Sequence, residues 1–319
     1  MKKTMTVLLS LVLVVIFSIL YFYHSAKEPI RIVFASDDNY IPHLATAITS
    51  IVKNADKDDK FDFYLLESSV SEENKIKLKS YTDSLKVPLT FVHIDDKRLE
   101  SVKIRRGILT KATYLRFFIP DVFHFDKILY LDSDILVFKS LRSFFDSDIT
   151  DVYSGVIVDL ISPKNPSISC KGRLENVKTC FNGGVLLLNL KKMRQDNITS
   201  DTLFKNMDKL YKEQKLLLED QDVLNVTFNN DVKFFPFEYN FTNDFGRDSP
   251  DKIILHLIIK PWKEEGLKNH IYWRYRKETP WQINPHLFFL KMCPIPKNHH
   301  NRPDRRKIFG STLILNKAK

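Results

Sequence analysis

The chain of 319 residues is 44% hydrophobic and 28% charged, enough for one large globular domain or two small ones. Glycine is scarce, with 8 residues, and neither G-x-G-x-x-G nor G-x-x-x-x-G-K-[ST] occurs, which weighs against the dinucleotide fingerprint and the phosphate loop. The formal charge of +10 is concentrated at one end: residues 291–319 hold eight Lys/Arg against the single acid Asp304, and without aromatics regularly interleaved among them (Phe309 stands alone) a nucleic-acid partner is not expected. Two readings of that basic tail stay open, a solvated appendage and an attraction to anionic lipid head groups or a polyanionic partner.

At the other end, Lys2 and Lys3 precede an uncharged run from Thr4 to Tyr23 rich in Leu, Val and Ile. About 18–20 apolar residues cross a ~30 Å hydrocarbon core as a helix, so a short tail, a transmembrane signal anchor and a short stem are expected. Their bounds are residues 1–5, 6–23 and 24–29. Tyr21 and Tyr23 fall where an interfacial aromatic belt lies. A cleaved signal peptide is disfavoured, because only Ser25 and Ala26 supply small residues near a cut. Lys2, Lys3 and the amine before the span, against Lys27 and Arg31 after it, predict a cytoplasmic N-terminus with the remainder across the membrane.

Beyond the stem, Ile30–Ala35 reads as a buried strand ending in the polar stretch Ser36–Asn39. Ile41, Leu44, Ala45, Ile48 and Ile51 then recur at helical spacing. Residues 61–68 predict a second strand, 72–85 a helix, and 88–94 a third strand. The stretch 110–123, "TKATYLRFFIPDVF", predicts a helix stopped near Pro120, and 127–137, "KILYLDSDILV", one more strand. Strands alternating with helices imply βαβ units and an α/β domain with a mostly parallel sheet. No repeat or Pro/Gly-rich linker interrupts it, so residues 30–285 read as one domain and 286–319 as the basic tail. Cys170 and Cys180 have the option of pairing across a loop in an oxidising compartment, although their spacing leaves the Cα separation open.

In parallel sheets ligands bind beyond the carboxyl ends of the strands, where Asp37–Asn39 and Asp132–Ser133–Asp134 both fall. In extended chain, residues two apart point to one side, so Asp132 and Asp134 converge while Ser133 turns away. Two carboxylates at one point suit a hard divalent cation such as Mg²⁺ or Mn²⁺; the plain alternative is a pair of aspartates capping a turn. An aspartyl-phosphate phosphatase also ends a strand in D-x-D, usually with Thr or Val two residues on, but Ile135–Leu136 follows here.

Several linked stretches now occur in a recognisable order: "IVFASDDNYIPHLATAITSI", "TYLRFFIPDVFHFDKILYLDSDILV", "CFNGGVLLLNLKKMR", "EDQDVLNVTFNNDVKFFPFEYNF" and "HLIIKPW". Together they resemble glycosyltransferase family 8 over roughly residues 30–285. The bacterial lipopolysaccharide galactosyl- and glucosyltransferases are the nearer likeness and glycogenin a more distant one. The resemblance implies a GT-A fold, a single nucleotide-binding-like domain that moves a sugar from a UDP-sugar with retention of configuration. Mn²⁺ is the implied cofactor, with Mg²⁺ as substitute, UDP-galactose or UDP-glucose the donor, and a glycan or glycolipid the acceptor.

Carried over position by position, the resemblance implies that Ala35, Asp37 and Asn39 contact the uridine and ribose. Arg116, Ser133, Asn182 and Lys260 help bind the donor, with Lys260 on its phosphates. Asp132, Asp134 and His256 ligate the metal, and Gln221, Asp220 and Asp159 surround the transferred sugar as the catalytic set. Each has a plainer reading: Arg116 as a solvated helix residue, Asn182 with Gly183–Gly184 as a turn, Asp220 as a helix cap and His256 as a core histidine. The family pattern H-x-x-G-x-x-K-P-W is shortened here, since only Leu257, Ile258 and Ile259 separate His256 from Lys260 and the glycine is absent. That departure keeps a second function in view, a catalytically weak or inactive relative that binds sugar or a partner. For location, the anchor implies a type II protein of the Golgi or ER, whereas the bacterial-like motifs imply the cytoplasmic face of an inner membrane. Sequons at Asn197, Asn225 and Asn240 do not decide between them.

Overall fold

The computed structural model describes residues 27–102, 104, 110–160, 169–242 and 249–283. The expected anchor (6–23) and the basic tail (286–319) lie outside the described residues. Among the described residues no helix is long and apolar enough to cross a membrane. Those up to Gln282 belong to one compact unit.

Among the described residues ten strands are formed: β1 (Ile30–Ala35), β2 (Phe61–Glu67), β3 (Leu89–His93), β4 (Lys127–Leu131), β5 (Ile135–Val137), β6 (Ser154–Val158), β7 (Phe181–Asn189), β8 (Val232–Phe235), β9 (Phe241–Thr242) and β10 (Ile254–His256). Seven of them make the main sheet, in the order β3-β2-β1-β4-β7-β6-β8, and β5-β10-β9 make a small second sheet. Parallel pairing joins β1 to β2 and β4, β2 to β3, and β6 to β8. Only β7 is reversed, antiparallel to both β4 and β6. The α/β class and the mostly parallel sheet expected from the alternating pattern are therefore present.

Both faces of the sheet are covered, as parallel strands require, because their unbroken apolar runs have no polar side to offer water. Ile32, Phe34, Leu129, Leu131, Val185 and Leu187 pack on one face with Ile41, Leu44, Ala45, Ile48 and Ile51 of the helix Ile41–Lys53. Val33, Ile128, Tyr130, Leu186 and Leu188 face the other way, onto Phe117, Leu203, Phe204 and Val223. The period-2 alternation within each strand thus sorts its residues between two cores. At the helix Glu72–Ser84, Ser71 accepts a hydrogen bond from the Asn74 N–H, and Glu72 and Glu73 sit in the first turn where the helix dipole favours them.

Two local expectations are corrected. The run 127–137 is not one strand: β4 ends at Leu131 in the main sheet, and β5 belongs to the small sheet, antiparallel to β10. The chain changes sheets at Asp132–Ser133–Asp134, where two carboxylates cannot continue into a buried ladder. The edge of β5 is closed by the helix Ile41–Lys53 and its cap, through Val137 N–H to Ser50 Oγ (2.9 Å) and Asn54 Nδ2 to the Val137 carbonyl (2.9 Å).

The expected helix over 110–123 is a 3₁₀ segment, Lys111–Phe118, followed by a single α turn, Ile119–Val122. Pro120 opens that turn rather than stopping a helix, since a residue in the first turn needs no N–H partner. The plainer reading of Asn182 with Gly183–Gly184 as a turn is also set aside, since all three lie inside β7. Cys170 and Cys180 are disulfide-bonded, with Cα atoms 6.4 Å apart, tying together the ends of the segment that leads into β7.

Candidate active site

The carboxyl ends of β1, β4 and β6 and the start of β7 share one edge of the main sheet, and the chemistry expected from the sequence gathers there. Asp132 remains tied to the sheet by its N–H, which donates to the Gly184 carbonyl at 2.9 Å. Its Oδ1 accepts from Arg116 Nη2 (2.8 Å) and Tyr130 Oη (2.7 Å), which leaves Oδ2 facing His256 Nε2 at 3.7 Å. Asp134 Oδ1 lies 3.3 Å from the same nitrogen, and Oδ2 accepts from Lys260 Nζ. Burial works to raise the pKa of the Asp134 carboxyl, but the Lys260 ammonium overcomes it and the group is held well below the usual carboxylate range.

Ligand atoms from Asp132, Asp134 and His256 all lie within 4.8 Å of one another. Asp134 Oδ1 is buried and accepts no hydrogen bond, an arrangement that a carboxylate oxygen tolerates when a cation completes it. A hard divalent ion fits this donor set of two carboxylates and one imidazole. The wall behind it is shaped by the absence of a side chain: a Cβ on Gly184 would stand 2.4 Å from His256 Cε1 and 2.6 Å from Asp132 Oδ2.

Arg116 is buried, not solvated. Its guanidinium bridges Asp132 and Asp220 (Nη1 to Oδ2, 2.9 Å), donates to the Gly183 carbonyl at 2.7 Å and lies over the Tyr130 ring. The 3₁₀ geometry explains the reach, because residues three apart eclipse one another in such a helix. Thr113 and Arg116 therefore point the same way, and Thr113 Oγ1 also donates to Asp220, at 2.9 Å. Asp220 does not cap the helix Asp220–Phe228 that it begins; the cap position belongs to Glu219.

Burial pushes the Asp220 carboxyl up to about 6 against the lowering pull of Arg116. A carboxyl raised on folding holds its proton more tightly in the native state, so stability declines as pH rises from about 4 to about 6. The decline expected from Asp220 is about 3 kcal/mol. Urea midpoints at pH 4.5 and pH 7 in wild type and Asp220→Asn check it: the variant should lose part of the slope, and equal slopes would refute the assignment.

Gln221 sits beneath the same edge. Its Nε2 donates to Asp159 Oδ2 (2.9 Å), while its Oε1 accepts from both Asn182 Nδ2 and the Gly183 N–H (3.1 Å each). The structure thus brings together Arg116, Asp132, Asp134, Asp159, Asn182, Asp220, Gln221, His256 and Lys260, and Ser133 reaches across to the Ala35 carbonyl at 3.5 Å. Asp37 and exposed Asn39 open instead onto a neighbouring cleft of about 460 Å³ beyond β1–β3, which His93 and Asp96 also line. Asp37 accepts there from the Tyr40 N–H. Lys260, expected on phosphates, is held by Asp134 and the Leu257 carbonyl.

Two residues escaped the sequence reading. Gly184 entered only beside Asn182, in the plainer reading of that stretch as a turn. Asn240, at the end of a 3₁₀ turn (Phe237–Asn240), is buried with Oδ1 3.0 Å from His256 Nδ1. Its place in the stretch "FPFEYNF", an amide set among aromatics, was noted only as a sequon.

Comparison with known proteins bears on what this edge does. The pattern described as glycosyl transferase family 8 matches residues 31–266. The chain belongs to that family. A "Putative glycosyltransferase" of Haemophilus influenzae is 31% identical over 218 residues, covering 68% of this chain and 64% of that protein. This chain therefore spans just under two thirds of that relative's length. A lipopolysaccharide 1,2-glucosyltransferase of Escherichia coli is 26% identical over 316 residues, 90% of this chain and 88% of that one. Among solved structures, the galactosyltransferase LgtC in complex with donor and acceptor sugar analogues superposes with a TM-score of 0.66 at 26% identity. That match covers 78% of this chain and 95% of LgtC. This family 8 chain accordingly has a GT-A-like α/β fold.

Proposed function

We propose that this family 8 member transfers a hexose, galactose or glucose, from a UDP-sugar to a lipopolysaccharide or related glycan, with retention and with Mn²⁺ as cofactor. The convergence of Asp132, Asp134 and His256 beside the Gln221–Asp159 pair carries the reading. The names of the E. coli and LgtC relatives support a hexose and a surface-glycan acceptor.

Asp132, Asp134 and His256 would hold the ion, which when bound supplies a Lewis acid for the negative charge growing on the leaving diphosphate. Lys260 adds a second positive charge once it leaves Asp134 for the phosphates. Asp159 and Asp220 orient sugar hydroxyls by accepting from them. Gln221 is a poor nucleophile, since its oxygen is a neutral amide oxygen already accepting two hydrogen bonds. Retention therefore proceeds by attack on the face the nucleotide leaves, with an oxocarbenium-like sugar as in glycoside hydrolysis. Attachment to the membrane through residues 6–23 brings the domain to a lipid-linked acceptor.

Hydrolysis of UDP-galactose, UDP-glucose and UDP-GlcNAc with and without Mn²⁺, with the anomer of the released or transferred sugar assigned by NMR, tests the proposal. Turnover independent of divalent ions, or inversion, would overturn it. Gln221→Ala should lower kcat about 10²-fold while KM for the donor changes little; full turnover would remove Gln221 from the mechanism. One observation favours a second reading as a binding protein: Lys260, expected on the phosphates, is engaged by Asp134 Oδ2 and the Leu257 carbonyl. Tight UDP and Mn²⁺ binding without any turnover would select it.

A further inference from the structure

His256 has two ring nitrogens, and only the one bearing a lone pair can bind a cation. Hydrogen bonds traced inward from fixed donors and acceptors determine which one it is. The Gly183 N–H can only donate, so the Gln221 atom 3.1 Å from it is the oxygen, and the Gln221 nitrogen falls on the Asp159 carboxylate, which accepts it. The Gly184 N–H likewise marks the Asn182 atom 3.0 Å away as oxygen, so the Asn182 nitrogen donates to Gln221. With Asn182 Oδ1 an acceptor, the Asn240 atom 2.8 Å from it is the nitrogen, and Asn240 turns its oxygen to His256 Nδ1 at 3.0 Å. An amide oxygen only accepts, hence Nδ1 carries the hydrogen. Nε2 is then the atom directed at Asp132 and Asp134, 3.7 and 3.3 Å away.

This arrangement runs against the local preference of the ring. Between an amide oxygen on one side and two carboxylates on the other, a neutral imidazole left free would donate its hydrogen to the stronger acceptors, the carboxylates. It would then present a hydrogen where a cation has to sit. We propose that Asn240 is a positioning residue that holds His256 in the Nδ1–H form and so keeps Nε2 available as a ligand. Asn182 fixes the orientation of Asn240 and, through its own nitrogen, that of Gln221. One amide chain thereby sets the metal-ligating ring and the amide under the sugar together. The inference rests on the reading of Asp132, Asp134 and His256 as a metal site, and it adds a residue outside the ligand set.

The test is the ring tautomer, measured by ¹⁵N–¹H correlation on metal-free, histidine-labelled protein, with His256→Gln to assign the signal. Wild type and Asn240→Asp, which keeps an acceptor at that point, should show the Nδ1–H form. Asn240→Leu, which removes the acceptor, should show the Nε2–H form and bind Mn²⁺ about 10–100-fold more weakly by EPR titration, with Asn240→Asp close to wild type. An Nε2–H signal in the wild type, or an Nδ1–H signal that survives in Asn240→Leu, would overturn the proposal. Equal loss of Mn²⁺ affinity in the Leu and Asp variants would overturn it as well. A wild type that shows the Nδ1–H form but binds no Mn²⁺ would instead overturn the metal reading on which it rests.

Discussion

Replacing Asp134 by asparagine is expected to lower divalent-dependent sugar transfer about 10³-fold and to abolish Mn²⁺ binding in the absence of donor. The substitution is isosteric, so backbone bonds such as Leu257 N–H to the Asp134 carbonyl are kept. What changes is the charge on one oxygen facing His256 Nε2 and another facing Lys260. Asp132 cannot take over, because its Oδ1 is committed to Arg116 and Tyr130. Lys260 is 20% exposed and free to swing to water, so folding stability should fall little and the two effects separate cleanly. Initial rates with EPR titration and a thermal melt on the same preparation check this. Near-normal turnover in Asp134→Asn, insensitive to chelator, would refute the metal site.

The second large effect is expected at a position with no functional group. Gly184→Ala should reduce kcat about 10²-fold or more, since displacing a catalytic group by about 1 Å is enough for that loss. An added methyl cannot coexist with His256 Cε1 at 2.4 Å and Asp132 Oδ2 at 2.6 Å, and both are ligand side chains rather than flexible surface groups. The backbone tolerates alanine, because no left-handed φ is required there; the conflict is purely steric. Overpacking of this kind also destabilises by about 1–3 kcal/mol. Gly183→Ala is the matched control: its Cβ meets Arg116 Nη1 at 3.4 Å and Asp220 Oδ2 at 3.5 Å, ordinary van der Waals contacts. Comparable losses at both glycines would mean that β7 as a whole, and not the ligand cluster, is being disturbed.

Much of this was legible from residue order. Apolar runs of strand length, helical spacing between them and aspartates at their ends arise from local rules: side chains alternate every two residues in a strand and recur every 3.6 in a helix, whatever lies beyond. Those rules place Asp37, Asp132 and Asp134 at carboxyl ends of strands, and the order of linked motifs points to the family that the comparisons bear out. The same rules misjudged 110–123 and 127–137. In the first, the packing of Tyr114 and Phe117 and the pull of Asp220 on Thr113 and Arg116 select a tighter helix than propensity alone would. In the second, the partner of Ile135–Val137 is β10, more than a hundred residues away.

Residue types, their spacing and the alternation of elements were therefore determined by the sequence alone: an α/β chain with acids at strand ends and one histidine and one lysine in its last motif. Which groups meet was decided only in three dimensions. The reversed strand β7 sets Gly184 against His256, the small sheet carries that ring to the paired aspartates, and Asn240 turns its lone pair toward them. The reason is physical: strand and helix periods follow from bonds between near neighbours, whereas a ligand site depends on which distant strands pair and in what register, and no local pattern records that.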